Sequence, residues 1–556
     1  MKRDEMISRI KRRDTPWDLV IIGGGAVGAG VAVDASTRGF DVLLVEREDF
    51  GKGTSSRSTK LVHGGVRYLE QGNISLVMEA LKERGLLLRN APHIVHDLPF
   101  VVPNYSWWEA PFYGIGMKVY DLLAGKYNFG RSKVLSLTET LDRLPTIQQE
   151  GLRGGVLYHD GQFDDTRLLT HLLATAVDHG ATVMNYAEVT STLKDDQGFV
   201  SGVMITDHET HEQYTAHAKV VVNATGIFTD ETRRLAQADV KPMVTPAQGI
   251  HLVLDRSFLR GDNAIMVPRT SDGRVLFAIP WHDRTLLGTT DTAIEHASYE
   301  PLALEEEIEF VLETATEYLS RPPSRSDVLS IFVGIRPLVS APGGGEGKTS
   351  ALSRGHTIHI DESGLMTVVG GKWTTYRHMA EDCVDHAITL GSLRDTPCVT
   401  ADLPIHGYHR QADKLGTLSV YGTDAEGIKR VAAEAPAFAE KLHPDLPYIA
   451  AEIIWSVRNE MSRSLDDALS RRTRALLLNA RATIEMAPKV AKLMAAELGR
   501  DDLWIEAQID SFTTLAKHYI LGPALTKGAP APAAPASARA APASAATAPA
   551  SAQARP

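Results

Sequence analysis

Residues 19–30 read LVIIGGGAVGAG, and this short stretch decides the fold of the N-terminal half of the chain. The apolar run at 19–22 is typical of a buried strand, and Gly23, Gly25 and Gly28 follow it with GxGxxG spacing. The first glycine permits a tight turn, the second lets a pyrophosphate approach the backbone, and the third lets the helix pack closely on the strand. The stretch therefore predicts a parallel α/β sheet with a dinucleotide at the N-terminus of its first helix.

Glu46 ends the next predicted strand, Asp41–Val45, eighteen positions after Gly28. A carboxylate at this place accepts hydrogen bonds from ribose hydroxyls and repels a 2′-phosphate. The glycine motif alone does not separate FAD from NAD. A second strand-to-glycine junction, VVVNATG at Val220–Gly226, follows a polar meander that begins near Val183, and two such junctions on one sheet favour a flavin.

Hydrophobic periodicity changes along the chain and predicts the fold class. Up to about residue 395, short β-branched runs alternate with helical segments, and several runs between residues 247 and 288 suit an antiparallel sheet. Apolar residues recur at helical spacing between Asp413 and Leu521. The predicted fold class is α/β, with a Rossmann-type FAD-binding domain, an antiparallel-sheet substrate domain and a helical C-terminal cap domain.

Domain boundaries follow from the same changes in pattern and composition. The predicted domains are a basic N-terminal arm (residues 1–16), an FAD-binding domain (17–395) with an interleaved substrate domain (mainly 80–150 and 246–355), a helical C-terminal domain (396–522) and a disordered Ala/Pro-rich tail (523–556). The arm carries Met6, Ile7 and Ile10 among basic residues. We expect a solvated arm, with a short helix lying on a membrane surface as the alternative.

Charge and composition limit the partners of the protein. The 556-residue chain has 58 Lys plus Arg against 69 Asp plus Glu, and this net charge of -11 argues against nucleic acid as a partner. Cys383 and Cys398 lack metal-ligand spacing, so no metal site is predicted. We find no secretory signal or membrane-spanning stretch and expect a cytoplasmic protein. Trp107 and Trp108 could form an apolar patch for a membrane or quinone, or could be buried loop anchors.

A polar, glycine-rich segment, GTSSRSTKLVHGGVRYLE at Gly53–Glu70, follows the strand that ends at Glu46. Its hydroxyls and backbone N–H groups can bind phosphate or ring oxygens, and His63-Gly64-Gly65 lets the backbone approach a planar ring. The residues alone leave two interpretations open, a cofactor-binding loop and a basic surface loop.

Five separated motifs together resemble one family. In chain order they are GTSSRSTKLVHGGVRYLE (Gly53–Glu70), VNATG (Val222–Gly226), IPWHDRTLLGTTD (Ile279–Asp291), VGIRPL (Val333–Leu338) and GGKWTTYRHMAE (Gly370–Glu381). They resemble the FAD-dependent, respiratory glycerol-3-phosphate dehydrogenases, within the D-amino-acid-oxidase-like flavoproteins. The resemblance runs from about residue 17 to about residue 520.

The resemblance implies a non-covalently bound FAD. It places the pyrophosphate at Gly23, Gly25 and Gly28 and the ribose on Glu46. The other residues that the resemblance assigns to the cofactor lie near the middle, the adenine or the ring system of the flavin, and they are Thr54, Ser55, Ser58, Lys60, His63, Val189, Gly226, Gly371 and Lys372.

Glycerol 3-phosphate is the substrate that the resemblance implies. Arg67 and Arg336 match the arginines that hold the phosphate, and Tyr68, His251 and Lys372 match residues of the same pocket. A phosphomonoester carries about -1.5 to -2 charges near neutral pH, and a guanidinium group binds two of its oxygens at once. An internal ion pair is the alternative role for Arg336.

Three residues are predicted to act in catalysis: His251, Lys372 and Arg336. His251 is our first choice for the base, because the pKa of an imidazole lies close to working pH whereas that of a lysine would need considerable lowering. Lys372 is better suited to stabilise the developing alkoxide or the reduced flavin.

The leading hypothesis is a respiratory dehydrogenase that forms dihydroxyacetone phosphate, passes its electrons to a quinone and sits peripherally on the inner face of the cell membrane. A homodimer is one compatible oligomeric state. An oxidase of the same group, which gives its electrons to dioxygen and releases hydrogen peroxide, is the close rival. An amine oxidase and a non-catalytic or RNA-modifying FAD protein are the remaining alternatives, and the net acidity counts against RNA.

Overall fold

Strands and helices alternate along the chain in the computed structural model, which describes residues 1–70, 72–270, 273–339 and 355–522. The strands are β1 (Trp17–Ile22), β2 (Val42–Val45), β3 (Leu61–Val62), β4 (Val95–Asn104), β5 (Lys133–Leu135), β6 (Gly154–Phe163), β7 (Thr182–Met184), β8 (Ala187–Lys194), β9 (Val200–Asp207), β10 (Gln213–Asn223), β11 (Val244–Asp255), β12 (Ala264–Val267), β13 (Leu276–Trp281), β14 (Arg284–Gly288), β15 (Thr292–Ala293), β16 (Val328–Val339), β17 (His356–Ile360) and β18 (Met366–Gly370). The helices are α1 (Arg3–Lys11), α2 (Ala26–Thr37), α3 (Val66–Glu70), α4 (Ile74–Asn90), α5 (Glu109–Ala124), α6 (Leu137–Arg143), α7 (Asp165–Asp178), α8 (Thr229–Ala236), α9 (Glu305–Tyr318), α10 (Tyr376–Leu390), α11 (Ala425–Glu434), α12 (Ala450–Asn459), α13 (Ala475–Leu478), α14 (Ala480–Leu498) and α15 (Asp502–Lys517).

The first sheet contains the predicted Rossmann strands. Its order is β17-β18-β10-β1-β2-β7, and β1 pairs in parallel with β10 and β2, so that Ile22 lies opposite Asn223 and Val45. Strand β1 contributes side chains to apolar clusters on both faces, Leu19 to one and Val20 to the other, as expected of a buried parallel strand. Strands β8, β9 and β10 pair antiparallel and form the predicted meander.

The second sheet is mainly antiparallel, as predicted. Its order is β15-β11-β14-β13-β12-β4-β6-β3, with β16 beside β11 and β5 beside β6, and β12 with β4 is a parallel pair. Strands β11 and β16 pair along most of their length, which places Ala247 opposite Arg336 and His251 opposite Phe332. Residues directly opposite each other on paired strands share a face, and so do residues an even number of positions apart on one strand. Arg336 is opposite Ala247, and Ala247 is four residues from His251, so Arg336 and His251 project from the same face.

Helices α11 to α15 form the predicted C-terminal helical region. Buried charges join this region to the first sheet. The Asp49 carboxylate, which is fully buried, accepts hydrogen bonds of 2.7 and 2.8 Å from Arg472 and one of 2.5 Å from Arg471. Removing one partner of such a buried pair typically costs about 3–5 kcal/mol, so these bonds hold the helical region firmly against the sheet.

The fold class is confirmed, and the domain boundaries stay predictions. Residues 1–522 form one compact unit, in which the FAD-binding, substrate and helical regions are continuous. The predicted tail, 523–556, lies outside the residues that the structure describes.

The N-terminal segment departs from the expectation of a solvated arm. Helix α1 buries Met6 and Ile10 in the apolar core, since residues four apart lie on the same helix face. The buried Arg3 guanidinium donates hydrogen bonds of 2.9 and 3.1 Å to Asp207. The apolar face of α1 is therefore covered by the protein itself, and the alternative of a helix lying on a membrane is wrong as well.

Candidate active site

A cavity of about 400 Å³ lies at the carboxyl ends of β1, β2, β10 and β18. Ligands of open α/β sheets bind beyond the carboxyl ends of the strands. The predicted cofactor-binding residues that line this cavity are Gly23, Gly25, Glu46, Thr54, Ser55, Val189, Gly226, Gly371 and Lys372. Segments far apart in sequence therefore meet at one crevice.

The GxGxxG turn brings the start of α2 to the cavity wall. Gly23 has a φ of +111°, a conformation that favours glycine, and Gly25 is the N-cap of α2 without a side-chain hydrogen bond. A Cβ atom on Gly28 would collide with the carbonyl oxygen of Gly23, so helix and strand touch there. The tight turn at Gly23 and the close packing at Gly28 are thus present, and the role of Gly25 toward a pyrophosphate at the helix N-terminus stays a prediction.

Glu46 lies at the carboxyl end of β2 and lines the cavity. Its two carboxylate oxygens accept hydrogen bonds from the backbone N–H groups of Gly24, at 2.7 Å, and Glu48, at 2.9 Å. Burial raises the pKa of Glu46, and these two bonds oppose that shift. An ionised carboxylate has about four acceptor positions, so two bonds leave capacity for ribose hydroxyls.

The segment after Glu46 divides into two parts. Thr54 and Ser55 line the cavity, and the Thr54 hydroxyl donates a 2.6 Å hydrogen bond to the carbonyl of Ile335 on β16. The Ser58 hydroxyl and the Lys60 ammonium instead bind the buried Asp165 carboxylate, at 2.7 and 2.6 Å.

Ser58 and Lys60 are therefore not placed as cofactor contacts. Lys60 is fully buried inside the protein, and neither side chain is among the described residues that line the cavity. Both side chains bind Asp165 instead, because a buried carboxylate is stable only when it is paired with a positive charge or hydrogen-bond donors. His63 also lies outside the cavity lining, and its backbone N–H donates to Thr374 Oγ1 at 3.2 Å.

The opposite end of the cavity is formed by Gly226, Gly371 and Lys372. Gly226 and Gly371 have φ values of +56° and +71°. The Lys372 ammonium lies 4.0 Å from the centre of the Tyr68 ring, which joins the predicted substrate residue Tyr68 to this end of the crevice.

Arg336 lies on β16 next to Pro337, which lines the cavity; Arg336 itself is not among the lining residues, and its side chain projects from the other face of the strand. Its guanidinium is partly exposed and donates to Asp291 and to the Thr289 hydroxyl, each at 3.3 Å. The ion pair named as the alternative role of Arg336 is thus present, and its role as a phosphate ligand stays a prediction. The side chain of Arg67, the other predicted phosphate ligand, lies outside the described residues.

His251 lies on β11 and is only 2% exposed. Its ring stacks on Phe332 with 4.8 Å between the ring centres, and Nε2 lies 2.9 Å from the Thr59 hydroxyl oxygen. Burial, together with the positive charges of Lys60 and Arg336, holds the pKa of His251 well below its usual value. The imidazole is therefore neutral at working pH, and burial and the two positive charges oppose its protonation.

Several residues at the cavity were missed by the sequence analysis. Arg47 and Lys52 line it beside Glu46, and the Arg47 guanidinium lies 5.1 Å from the ring centres of both Phe228 and Tyr299. Two basic residues next to an acid-ended strand were a usable signal. Phe228 follows the VNATG motif by two residues, so that motif was a usable signal for it, whereas Tyr299 comes from a remote segment without a motif and is brought there only by the fold.

Helix α5 carries an exposed apolar surface, which decides the question left open for the two tryptophans. On this helix and in the two residues before it, several large apolar side chains have at least two fifths of their area exposed. They are Trp107 (78%), Trp108 (43%), Phe112 (50%), Ile115 (67%), Val119 (40%) and Leu122 (79%). They are not buried loop anchors. Among the described residues, no helix is both long enough and apolar enough to cross a bilayer.

Comparison with known proteins gives consistent results over nearly the whole chain. Residues 18–377 match the family model "FAD dependent oxidoreductase", and residues 367–503 match "C-terminal domain of alpha-glycerophosphate oxidase". The chain is 40% identical over 529 residues to the mitochondrial glycerol-3-phosphate dehydrogenase of Homo sapiens, covering 89% of this chain and 72% of that protein. It is 40% identical over 525 residues to a mitochondrial glycerol-3-phosphate dehydrogenase of Arabidopsis thaliana, covering 87% and 83%.

The structure also has a solved counterpart. The glycerol-3-phosphate dehydrogenase from Bacillus halodurans complexed with FAD superposes with a TM-score of 0.75 at 30% identity, over 93% of this chain and 97% of that chain. The resemblance carried by the five motifs is thereby confirmed at the level of sequence and of fold. The chain belongs to the family of FAD-dependent glycerol-3-phosphate dehydrogenases, within the FAD-dependent oxidoreductases.

Proposed function

We propose that the protein oxidises sn-glycerol 3-phosphate to dihydroxyacetone phosphate with FAD and passes the electrons to a membrane quinone. One observation carries this proposal. The α2 N-terminus, Glu46 and Lys372 line one crevice, which strand β16 reaches through Pro337, and Arg336 and His251 project from one face of the sheet that contains β16. A crevice suited to a dinucleotide and a sheet face with groups suited to a small anion are thus joined by one strand.

The residues of the crevice fit FAD. The N-terminus of α2 and the close approach allowed by Gly25 suit the pyrophosphate, and Glu46 suits the ribose. Val189 and its neighbours form the wall where the adenine would lie. Bound FAD supplies the acceptor for the hydride that leaves C2 of the substrate, at its N5 atom.

Positive charge near the Lys372 end favours a phosphorylated substrate. Arg336 holds its guanidinium toward the site through Thr289 and Asp291, and Arg67 is the second predicted phosphate ligand. A guanidinium binds a phosphate through two hydrogen bonds. We assign recognition of the phosphate to these two arginines.

The proton of the substrate hydroxyl needs an acceptor. His251 is neutral, so its imidazole has a lone pair that can take a proton, although burial and the positive charges of Lys60 and Arg336 oppose this. Lys372 supplies positive charge close to the alkoxide that develops during the reaction. We therefore propose His251 as the base and Lys372 as the electrostatic stabiliser.

The apolar surface of α5 supports attachment to the inner face of the cell membrane, from the cytoplasmic side. Aromatic and aliphatic side chains are exposed along it, and basic residues occur on the helix and in the segment that follows it, namely Lys118, Lys126, Arg131 and Lys133. Large apolar side chains with nearby basic groups bind surfaces of anionic lipid. A quinone dissolved in that membrane would then be within reach. The homodimer stays a prediction, which light scattering of the flavin-loaded protein tests.

Anaerobic bleaching of the flavin tests the proposed function. Purified yellow protein is mixed with glycerol 3-phosphate, glycerol or glycine, and the flavin absorbance is followed. We expect bleaching with glycerol 3-phosphate alone, and bleaching by glycine would indicate an amine oxidase instead. The rate at which the reduced flavin is reoxidised then distinguishes a dehydrogenase from an oxidase. In a dehydrogenase, a soluble quinone should reoxidise the flavin far faster than dioxygen does, and in an oxidase dioxygen should be the faster acceptor.

A further inference from the structure

Thr59 and His251 meet at the face of the second sheet that bears the predicted base. Thr59 Oγ1 lies 2.9 Å from Nε2 of His251. The other ring nitrogen, Nδ1, is buried and has no hydrogen-bond partner among the residues that the structure describes. An unpaired buried polar atom costs about 1–3 kcal/mol, so native proteins seldom keep one unless a ligand or water supplies the partner.

The imidazole has little freedom apart from this hydrogen bond. Its plane lies at 15° to the ring of Phe332, against which it stacks. On strand β14, a Cβ atom at Gly288 would collide with the ring, so the backbone there is in close contact with it. The ring plane is fixed by packing, and the partner of Nε2 decides which nitrogen carries the proton.

Thr59 is itself held in place through its two neighbours. Ser58 and Lys60 both bind the buried Asp165 carboxylate, and the Lys60 ammonium also donates to the carbonyl of Ser56 at 2.7 Å. The hydroxyl of Thr59 is therefore positioned by a buried ion pair. This arrangement also gives Ser58 and Lys60 a function that the sequence motif did not reveal.

We propose that Thr59 is a positioning residue for His251: its hydroxyl oxygen accepts a hydrogen bond from Nε2–H and leaves Nδ1 as the nitrogen that takes the substrate proton. The inference rests on the proposed function, in which His251 is the base. In the reaction, the O–H bond of the substrate breaks and an N–H bond forms at Nδ1, while the hydride on C2 departs to the acceptor.

A matched set of variants in the flavin-loaded enzyme tests the inference. Thr59→Val removes the hydroxyl with little change of shape, and Thr59→Ser keeps it. Thr140→Val is the control, because it removes a buried hydroxyl that donates to Ser136 O at 2.8 Å and lies outside the cavity.

We expect Thr59→Val to lower kcat for glycerol 3-phosphate by about 10- to 100-fold, the loss typical when a partner that orients a functional histidine is removed. KM and FAD content should stay near those of the wild type, and the unfolding midpoint should fall modestly, because Nε2 of the buried His251 loses its partner. Thr59→Ser and Thr140→Val should stay near the wild type in kcat as well.

A second readout does not depend on turnover. Histidine labelled with ¹⁵N reports by NMR which ring nitrogen carries the proton, and His251→Gln identifies the signal of His251. We expect a proton on Nε2 in the wild type and in Thr59→Ser, and a mixture of both forms in Thr59→Val.

Three results would overturn the inference: normal kcat in Thr59→Val, equal losses in Thr59→Val and Thr59→Ser, or a proton on Nδ1 in the wild type. Failure of the proposed function looks different, since the wild-type flavin would then not be bleached by glycerol 3-phosphate at all. In that case the NMR result still decides whether Thr59 sets the protonated nitrogen.

Discussion

Arg336 and His251 project from the same face of the second sheet, yet the protein holds them in opposite ways. The Arg336 guanidinium is partly exposed and makes two bonds of 3.3 Å, whereas the His251 ring is buried and stacked. A reachable cation can exchange part of its protein contacts for a phosphate, and a buried neutral ring can accept a proton. Arg336 is thus suited to bind the substrate phosphate, and His251 is suited to take the proton.

Arg336→Ala should raise KM for glycerol 3-phosphate by about 10- to 100-fold, because hydrogen bonds to charged groups contribute about 1.5–3 kcal/mol. FAD content, read from absorbance, should not change. Arg153→Ala is the control, since Arg153 is exposed and lies outside the cavity. Equal loss of bound flavin in Arg336→Ala would show that this residue belongs to the cofactor site.

At the scale of elements, α2 and α5 have different surroundings: α2 begins at the ligand cavity, whereas α5 lies at the surface of the protein. Helix α2 begins at the cavity and packs on β1 through Gly28, and nearly all of its residues are buried. Helix α5 buries one side, with Met117 and Tyr120, and exposes apolar side chains on the other. The first makes close contact with a strand, and the second keeps an apolar side exposed.

Gly28→Ala should release FAD and lower the unfolding midpoint, because its Cβ atom would overlap the Gly23 carbonyl, and overpacking costs about 1–3 kcal/mol. Gly116→Ala in α5 is the control, since a Cβ atom there meets nothing within 4 Å. The control should be slightly more stable than the wild type, because alanine favours helix. A Gly28→Ala protein with full FAD content would contradict this account of the turn.

Replacing both Ile115 and Leu122 by Asp should weaken sedimentation with vesicles that contain anionic phospholipid, because both apolar side chains are exposed on α5. Anaerobic flavin reduction by glycerol 3-phosphate should be unchanged. Leu503→Asp is the matched control, since Leu503 is 74% exposed on α15, on another part of the surface. Wild-type binding by the double variant would move the membrane contact elsewhere.

Local patterns predicted the elements well, and long-range contacts explain what they missed. The GxGxxG turn and Glu46 lie where the spacing indicated, because strand, turn and helix are adjacent in sequence. Lys60 and Ser58 do not line the cavity, because Asp165, more than a hundred residues away, binds both side chains. Likewise, α1 is buried because Arg3 has a partner in Asp207, which no local pattern shows.

Over the whole molecule, charged groups from distant segments meet at His406. Its ring nitrogens bind Asp178 at 2.6 Å and Asp424 at 3.1 Å, so α7 and the segment before α11 are joined through one side chain. Burial lowers the pKa of His406, but hydrogen bonds and charge from the two carboxylates outweigh burial and raise it to about 10. The protonated ring thus holds two acidic residues together.

The raised pKa of His406 predicts a loss of stability at alkaline pH. At a pH below about 6.5, the pKa of a histidine in the unfolded chain, His406 is protonated in both the folded and the unfolded protein, and its contribution to the free energy of unfolding is complete. Between pH 6.5 and about 10 only the folded protein keeps the proton, so this contribution falls as the pH rises. Urea unfolding at pH 6.5 and 9.5 measures this decline. In His406→Gln, the free energy of unfolding should fall less steeply with pH, by at most about 1 kcal/mol per pH unit after allowance for solvent screening. The exposed His386→Gln should leave it unchanged.

Asp49 lies three positions after Glu46, and its partners Arg471 and Arg472 come 422 and 423 residues later. During synthesis on the ribosome, the N-terminal half emerges first, at roughly 5–20 residues per second. For tens of seconds, roughly, the segment that follows Glu46 therefore carries Asp49 without its arginines. The cofactor domain can reach its final form only when translation is nearly complete, although its defining sequence is among the first to be made.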